Sequence, residues 1–262
     1  MDLELDGKAV LVTGGSKGIG LACARAFGRE GARVVIVSRD AGHLAAARES
    51  LAEDGVTVTT LAADLSDAAA AEDAVAAAEE RTGPVDVLIN SAGGARRVPP
   101  GELTPDKWRT AMDAKFFTYM NVLDHLLPRM VARGSGSVVN IVGTGGKIAS
   151  PIHLPGGAAN AALMLASAGL AAAWGHAGVR VNVINPGATM TGRVQMSLDA
   201  ESRMTGEPPE ELLRRNQERI PLGRYATPEE VADAALYLAS VRASYVTGAS
   251  LTMDGALTPL VA

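Results

Sequence analysis

An apolar run, Val10–Leu11–Val12, breaks into Thr13–Gly14–Gly15–Ser16–Lys17–Gly18–Ile19–Gly20, and a helical pattern begins at once. No other stretch limits the possible folds of this chain as strongly. Glycine turns backbone through positive φ and lets it approach a ligand closely. A glycine turn that opens a helix presents N–H groups without intrahelical acceptors and the positive end of the helix dipole, a setting suited to phosphate. The spacing Gly14, Gly18, Gly20 departs from the G-x-x-x-x-G-K-[ST] of nucleoside triphosphate loops. A second apolar run, Arg33–Ser38, follows the helix, and strand–turn–helix–strand is the context of a dinucleotide site.

The alternation continues. Strands are expected at Lys8–Thr13, Arg33–Ser38, Val56–Ala62, Val85–Asn90, Gly136–Val142, Arg180–Asn185 and Ser250–Met253. Between them lie helical patterns at Gly18–Glu30, Ala41–Asp54, Ala68–Arg81, Thr104 to about Arg133, Gly156–His176 and Thr227–Ser240. Alternation of this kind implies an α/β fold, a doubly wound parallel sheet with helices on both faces. The reading is one domain over residues 1–262, with an insertion at about 189–219, helical near Pro209–Arg219, that would act as a substrate lid. Met190, Met196 and Met204 would give that lid an apolar, adaptable face, or simply pack against the domain.

A net charge of −5 argues against nucleic acid and anionic membrane as partners. The apolar runs are short or broken by glycine, so no membrane span is expected. One cysteine, Cys23, rules out an internal disulfide and fits a reducing cytoplasm. Four histidines show no metal-ligand spacing, so no metal is expected, and His43, His125 and His176 read as surface or packing residues. The pair Arg96–Arg97 follows the fourth strand and would lie near the mouth of the site.

Several motifs now stand in order: Thr13–Gly20, Asp64, Asn90–Ser91–Ala92–Gly93, Ser137–Val142, Arg180–Val181–Asn182, Asn185–Pro186–Gly187, Gly223–Glu230, Val246–Thr247–Gly248 and Asp254–Gly255. In these, across essentially its whole length, the chain resembles the short-chain dehydrogenase/reductase family. The resemblance implies a Rossmann fold, a small-molecule substrate, a homotetramer and a nicotinamide dinucleotide bound at the carboxyl ends of the strands. It implies phosphate and adenosine contacts from Gly14, Ser16, Lys17, Gly18 and Ile19, and an adenine edge at Asp64 and Leu65. Asn90, Ala92 and Gly93 would line the nicotinamide-side ribose, and Pro186, Gly187, Thr189 and Thr191 would hold the nicotinamide end. At the end of the second strand an NAD site carries a carboxylate. Here Ser38 and then Arg39 stand there, with Lys17 in the adjacent turn, so NADP is expected over NAD.

The family's chemistry implies serine, tyrosine and lysine, with an asparagine in the preceding helix. Aligned through Asn140, those positions hold Gly143, Gly156, Asn160 and Lys115. Thr144 and His153 are the nearby groups able to handle a proton. The exchange of lysine and asparagine suggests that the Lys115 ammonium fills the vacated lysine space and hydrogen-bonds Asn160; the alternative is drift after loss of chemistry. Glycine at 156 would leave volume above the nicotinamide, and Gly156–Gly157 would present N–H groups to an anion or a carbonyl oxygen. Three readings follow: an oxidoreductase on a carbonyl or alcohol with a non-standard proton donor, a dinucleotide-binding protein without turnover, or a lyase or isomerase in which the cofactor is absent or only structural.

Overall fold

The computed structural model describes residues 2–94 and 96–259. β1 (Ala9–Thr13), β2 (Arg33–Ser38), β3 (Val58–Ala62), β4 (Val87–Asn90), β5 (Gly136–Ile141), β6 (Val179–Pro186) and β7 (Ser250–Met253) form one seven-stranded sheet. Every pair is parallel and the order is β3-β2-β1-β4-β5-β6-β7. The central strands are buried on both faces, which is why they read as unbroken valine, isoleucine and leucine instead of alternating.

Helices cover both faces. α1 (Gly18–Arg29), α2 (Ala41–Glu53) and α9 (Pro228–Ala239) enclose one core, built on Val10, Val12, Phe27, Ile36, Leu51 and Val231. On the other face α3 (Ala68–Thr82), α5 (Thr118–Arg133) and α6 (Leu154–Trp174) bury Leu11, Val75, Leu88, Leu126, Val138 and Ala171. The strand order reverses between β1 and β4, and in open α/β sheets a ligand binds outside the carboxyl ends at such a point.

A polar thread runs through this buried sheet beneath that point. Thr13 Oγ1 donates to Asn90 Oδ1 at 3.1 Å, Asn90 Nδ2 to Asn140 Oδ1 at 3.0 Å, and Asn140 Nδ2 to Ser167 Oγ at 2.9 Å. It ties β1, β4, β5 and α6 together at fixed register. Replacing Asn140 with leucine strands the buried Asn90 amide N–H, whereas the Ser167 hydroxyl keeps its donation to the Leu163 carbonyl at 2.6 Å. Asn140→Leu is therefore expected to lower unfolding free energy by about 1–3 kcal/mol in a denaturant titration.

Three expectations change. The helix expected to run unbroken from Pro105 is α4 (Pro105–Ala111), then a π-helical segment, Met112–Phe117, then α5. Thr118 Oγ1 fills the widened turn by donating to the Asp113 carbonyl at 3.0 Å. The 189–219 insertion is helical in its first half too, as α7 (Gly192–Thr205) before α8 (Pro209–Glu218). The side chains of Met196 and Met204 lie outside the described residues; Met190 is exposed. Finally, among the described residues one helix, Leu154–Ala177, is long and apolar enough to cross a membrane by length and composition. It lies along the sheet, with Ala159, Leu163, Ser167 and Ala171 buried.

Candidate active site

The site is assembled at the carboxyl ends of β1, β4, β5 and β6. At β1, Gly14 takes φ +67°, and a Cβ there would stand 2.8 Å from the Ala92 backbone. The turn therefore packs directly on the exit of β4. α2, α3 and α9 are capped by Asp40, Asp67 and Thr227, whereas α1 has no side-chain cap. Its first N–H groups are left to an external acceptor. Thr191, at the start of α7, crosses over the turn, its methyl 3.3 Å from where a Gly18 Cβ would stand.

At the end of β2, Ser38 Oγ accepts from Ser16 Oγ at 3.0 Å. Asp40 is the nearest carboxylate along the chain, and it is turned onto the α2 amino end, accepting from His43 N at 2.7 Å. Hydrogen bonds from Ser66 and the charge of Arg39 hold Asp64 below the usual carboxylate range. This end therefore offers an uncapped helix, two serine hydroxyls and the cations Lys17 and Arg39, a donor set that fits a dinucleotide carrying a 2′-phosphate.

At the other end the π segment turns Lys115 inward. The residue is only 8% exposed, and its Nζ donates to Tyr119 Oη at 2.9 Å and to the Ile141 carbonyl at 3.0 Å. Tyr119, fully buried, donates its own hydroxyl to that carbonyl at 2.6 Å. A Cβ on Gly93 would run into the Ala114 carbonyl, so glycine there lets the β4 loop lie against the π segment. Sequence reasoning missed Tyr119, although its spacing of four from Lys115 on one helix was the available signal.

His153 precedes α6 with its ring half-buried. A Cβ on Gly145 would stand 3.2 Å from the His153 ring and 3.6 Å from Asn160 Nδ2, so ring and amide flank one glycine. The Val98 N–H to Ile152 carbonyl bond, 2.9 Å, joins the Arg97 loop to the His153 loop. Burial, then the charges of Arg97 and Lys115, lower the His153 pKa. Its neutral ring is accordingly the dominant form near pH 7. Thr144 opens the short turn between these groups and is part-exposed.

Other expectations need correction. Lys115 is anchored on Tyr119 and Ile141, where the sequence suggested the Asn160 amide. The Asn90 side-chain amide is committed to Thr13 and Asn140 and supports the site from below, so any ribose contact falls to its backbone. The Leu65 side chain lies in the core, leaving Asp64 at the edge. α6 begins at Leu154, ahead of the expected Gly156, and Gly157 N already donates to the His153 carbonyl at 2.8 Å. Of that glycine pair only Gly156 keeps a first-turn N–H without an intrahelical acceptor. Ser16, Lys17, Gly18 and Ile19 form the turn as expected, and Ala92 lies against it. Pro186 ends β6, Gly187 N donates to Met253 O at 2.9 Å, and Thr189 is buried just beyond.

The family model described as enoyl-(acyl carrier protein) reductase matches residues 14–258. A gluconate 5-dehydrogenase of Gluconobacter oxydans is 35% identical over 97% of this chain and 96% of its own length. The chain belongs to the short-chain dehydrogenase/reductase family. Among short-chain structures, L-sorbose reductase from Gluconobacter frateurii, solved with NADPH and L-sorbose, is 31% identical with a TM-score of 0.93, and each chain is covered fully. A short-chain oxidoreductase from Pseudomonas aeruginosa, solved with NADPH and described as containing an atypical catalytic center, is 30% identical with a TM-score of 0.87, over 98% of this chain and 99% of that one.

Proposed function

We propose that this protein is an NADP(H)-dependent oxidoreductase that interconverts an alcohol and a carbonyl, with Lys115 where the family has asparagine and with no serine–tyrosine–lysine set. The observation that carries this reading is the buried Lys115 ammonium, held at the end of β5 by Tyr119 and the Ile141 carbonyl. A cation kept dry in a fixed place stabilises charge developing on a substrate oxygen far better than one in water. NADP(H), when bound, exchanges the hydride with the substrate carbon.

The chain's own part is to hold and move the proton. Lys115 donates toward the substrate oxygen or the nicotinamide-side ribose. Asn160 supplies an amide N–H beside Gly143 and Gly145, and Thr144 a hydroxyl at the same turn. His153 takes the alcohol proton at Nε2 in oxidation and returns it in reduction. The relatives carry gluconate and L-sorbose in their names, which supports a small polyhydroxylated alcohol or ketone as substrate and favours turnover over a non-catalytic role. α7 and α8 form the substrate lid in this reading. Assembly is a homotetramer packed through the exposed faces of α5 and α6, where Leu165 is 78% exposed. The setting is a reducing cytoplasm, with the buried Cys23 thiol, pushed up to about 12, as an inert core group.

The test is NADPH binding followed by fluorescence, then a panel of polyols, aldonic acids and sugar ketones followed at the nicotinamide band. Binding together with turnover is expected. Binding with no turnover anywhere in the panel would replace this reading with the non-catalytic one. A second expectation follows from His153. Its lowered pKa keeps the base form populated, so alcohol oxidation should persist to lower pH than an ordinary histidine allows, then fall. In His153→Gln that acid limb disappears and kcat drops by about 10²-fold. An unchanged pH profile in the variant would remove His153 from the proton path.

A further inference from the structure

One contact at the adenosine end is not explained by packing, and it bears on the NADP(H) reading, on which this inference rests. Lys17 Nζ lies 2.7 Å from His43 Nε2. An ammonium has no lone pair, so Nε2 must accept, which makes the ring neutral with its proton on Nδ1. Nδ1 faces Asp40 Oδ1 at 3.6 Å, the same oxygen that accepts from the His43 backbone at 2.7 Å. Asp40 thus caps α2 and lies beside the imidazole. The chain Asp40–His43–Lys17 ends beside Ser38 and Arg39, where the cofactor's extra phosphate is expected.

We propose that His43 is a third ligand of the cofactor's 2′-phosphate, beside Lys17 and Arg39, and that it gains a proton as the phosphate arrives. In the free protein the neutral ring holds the Lys17 ammonium in place. A phosphate oxygen is the stronger acceptor and takes over the Lys17 hydrogen bond. Nε2, released, binds a proton from solvent and donates to a second phosphate oxygen, with Asp40 balancing the imidazolium. No bond to the cofactor forms or breaks. The charged groups against the ring are Lys17 from the glycine turn and Asp40 from the β2–α2 junction; Arg39, next to Asp40 in the chain, acts on Asp64 in the loop after β3. The two carboxylates are both held ionised, Asp40 first by the His43 backbone bond and Asp64 first by Ser66. A donating imidazolium contributes only while Nε2 carries the added proton, so the contribution of His43 is greater at low pH than at high pH.

Two small probes isolate the phosphate from the nicotinamide: adenosine 2′,5′-bisphosphate and 5′-AMP, titrated calorimetrically against the full chain at about pH 6 and about pH 8. The phosphate's own second ionisation, near pH 6, opposes the trend but is common to every variant. The side chain is nearly half exposed, so His43→Gln should fold. In His43→Gln the preference for the bisphosphate is expected to fall about three- to tenfold at the lower pH and to match the unaltered chain at the higher one. The proton uptake seen by comparing buffers of different ionisation enthalpy should vanish with it, and 5′-AMP binding should not change. Unchanged preference and proton uptake in His43→Gln, with preference lost in Arg39→Ala, would leave the NADP(H) reading standing and overturn the role of His43. Equal binding of both probes by the unaltered chain would overturn both.

Discussion

Replacing Lys115 with methionine is expected to lower kcat by about 10²–10⁴-fold while leaving thermal stability equal to or above that of the unaltered chain. The two halves of this outcome come from one fact, the burial of an ammonium. Taking a charge out of water is unfavourable, and an apolar chain of similar volume relieves that cost. Tyr119 keeps its own donation to the Ile141 carbonyl, so the deletion leaves that acceptor paired. If Lys115 were merely structural, the loss would appear in the melting curve and not in turnover. Single-turnover hydride transfer read at the nicotinamide band, beside a thermal melt, separates the cases. A variant that melts normally and turns over normally removes Lys115 from the chemistry.

Restoring the family's serine should fail. Gly143→Ser places a side chain at φ +119°, where L residues are strained, with Asn160 Nδ2 3.4 Å from the new Cβ. Strain of this kind costs about 1–3 kcal/mol. The variant is expected to lose that much stability in a denaturant titration and to gain no activity. A Gly143→Ser protein of full stability with raised kcat would mean that the turn relaxes readily and that the site is a damaged standard one. The expected result would instead mark the Gly143–Gly146 turn as a different solution. A Cβ on Gly157 would stand 2.7 Å from the Gly145 carbonyl, so this turn lies hard against α6.

What could be read beforehand follows from how local each cause is. The glycine turn was legible because the positive φ at Gly14 and Gly18 is a property of single residues. The strands were legible because burial on both faces forces continuous apolar runs, and their ends shifted by only one or two residues. The π segment was not legible. It inserts one residue into a helix by closing a wider ring, and its visible support, the Thr118 hydroxyl on the Asp113 carbonyl, is an ordinary threonine in sequence. The sequence drew attention to Lys115 and Asn160 as an exchanged pair, but not to what holds Lys115. The true anchors of Lys115 are a carbonyl on β5 and a tyrosine, and a carbonyl leaves no trace in a sequence. The motif around Asn90 gave no sign of the buried thread that its amide serves, because both partners lie on other strands. His43 looked like a surface residue because the lysine it meets is 26 positions away.

The bare amino end of α1 makes the dinucleotide more than a reagent. α2, α3, α4 and α9 close their first turn with a side chain of their own, and α1 borrows its closure from a diffusing anion. A ligand present at a hundred times its dissociation constant adds about 2.7 kcal/mol to a fold that binds it. The stability of the polypeptide is thereby linked to the concentration of the nicotinamide dinucleotide around it.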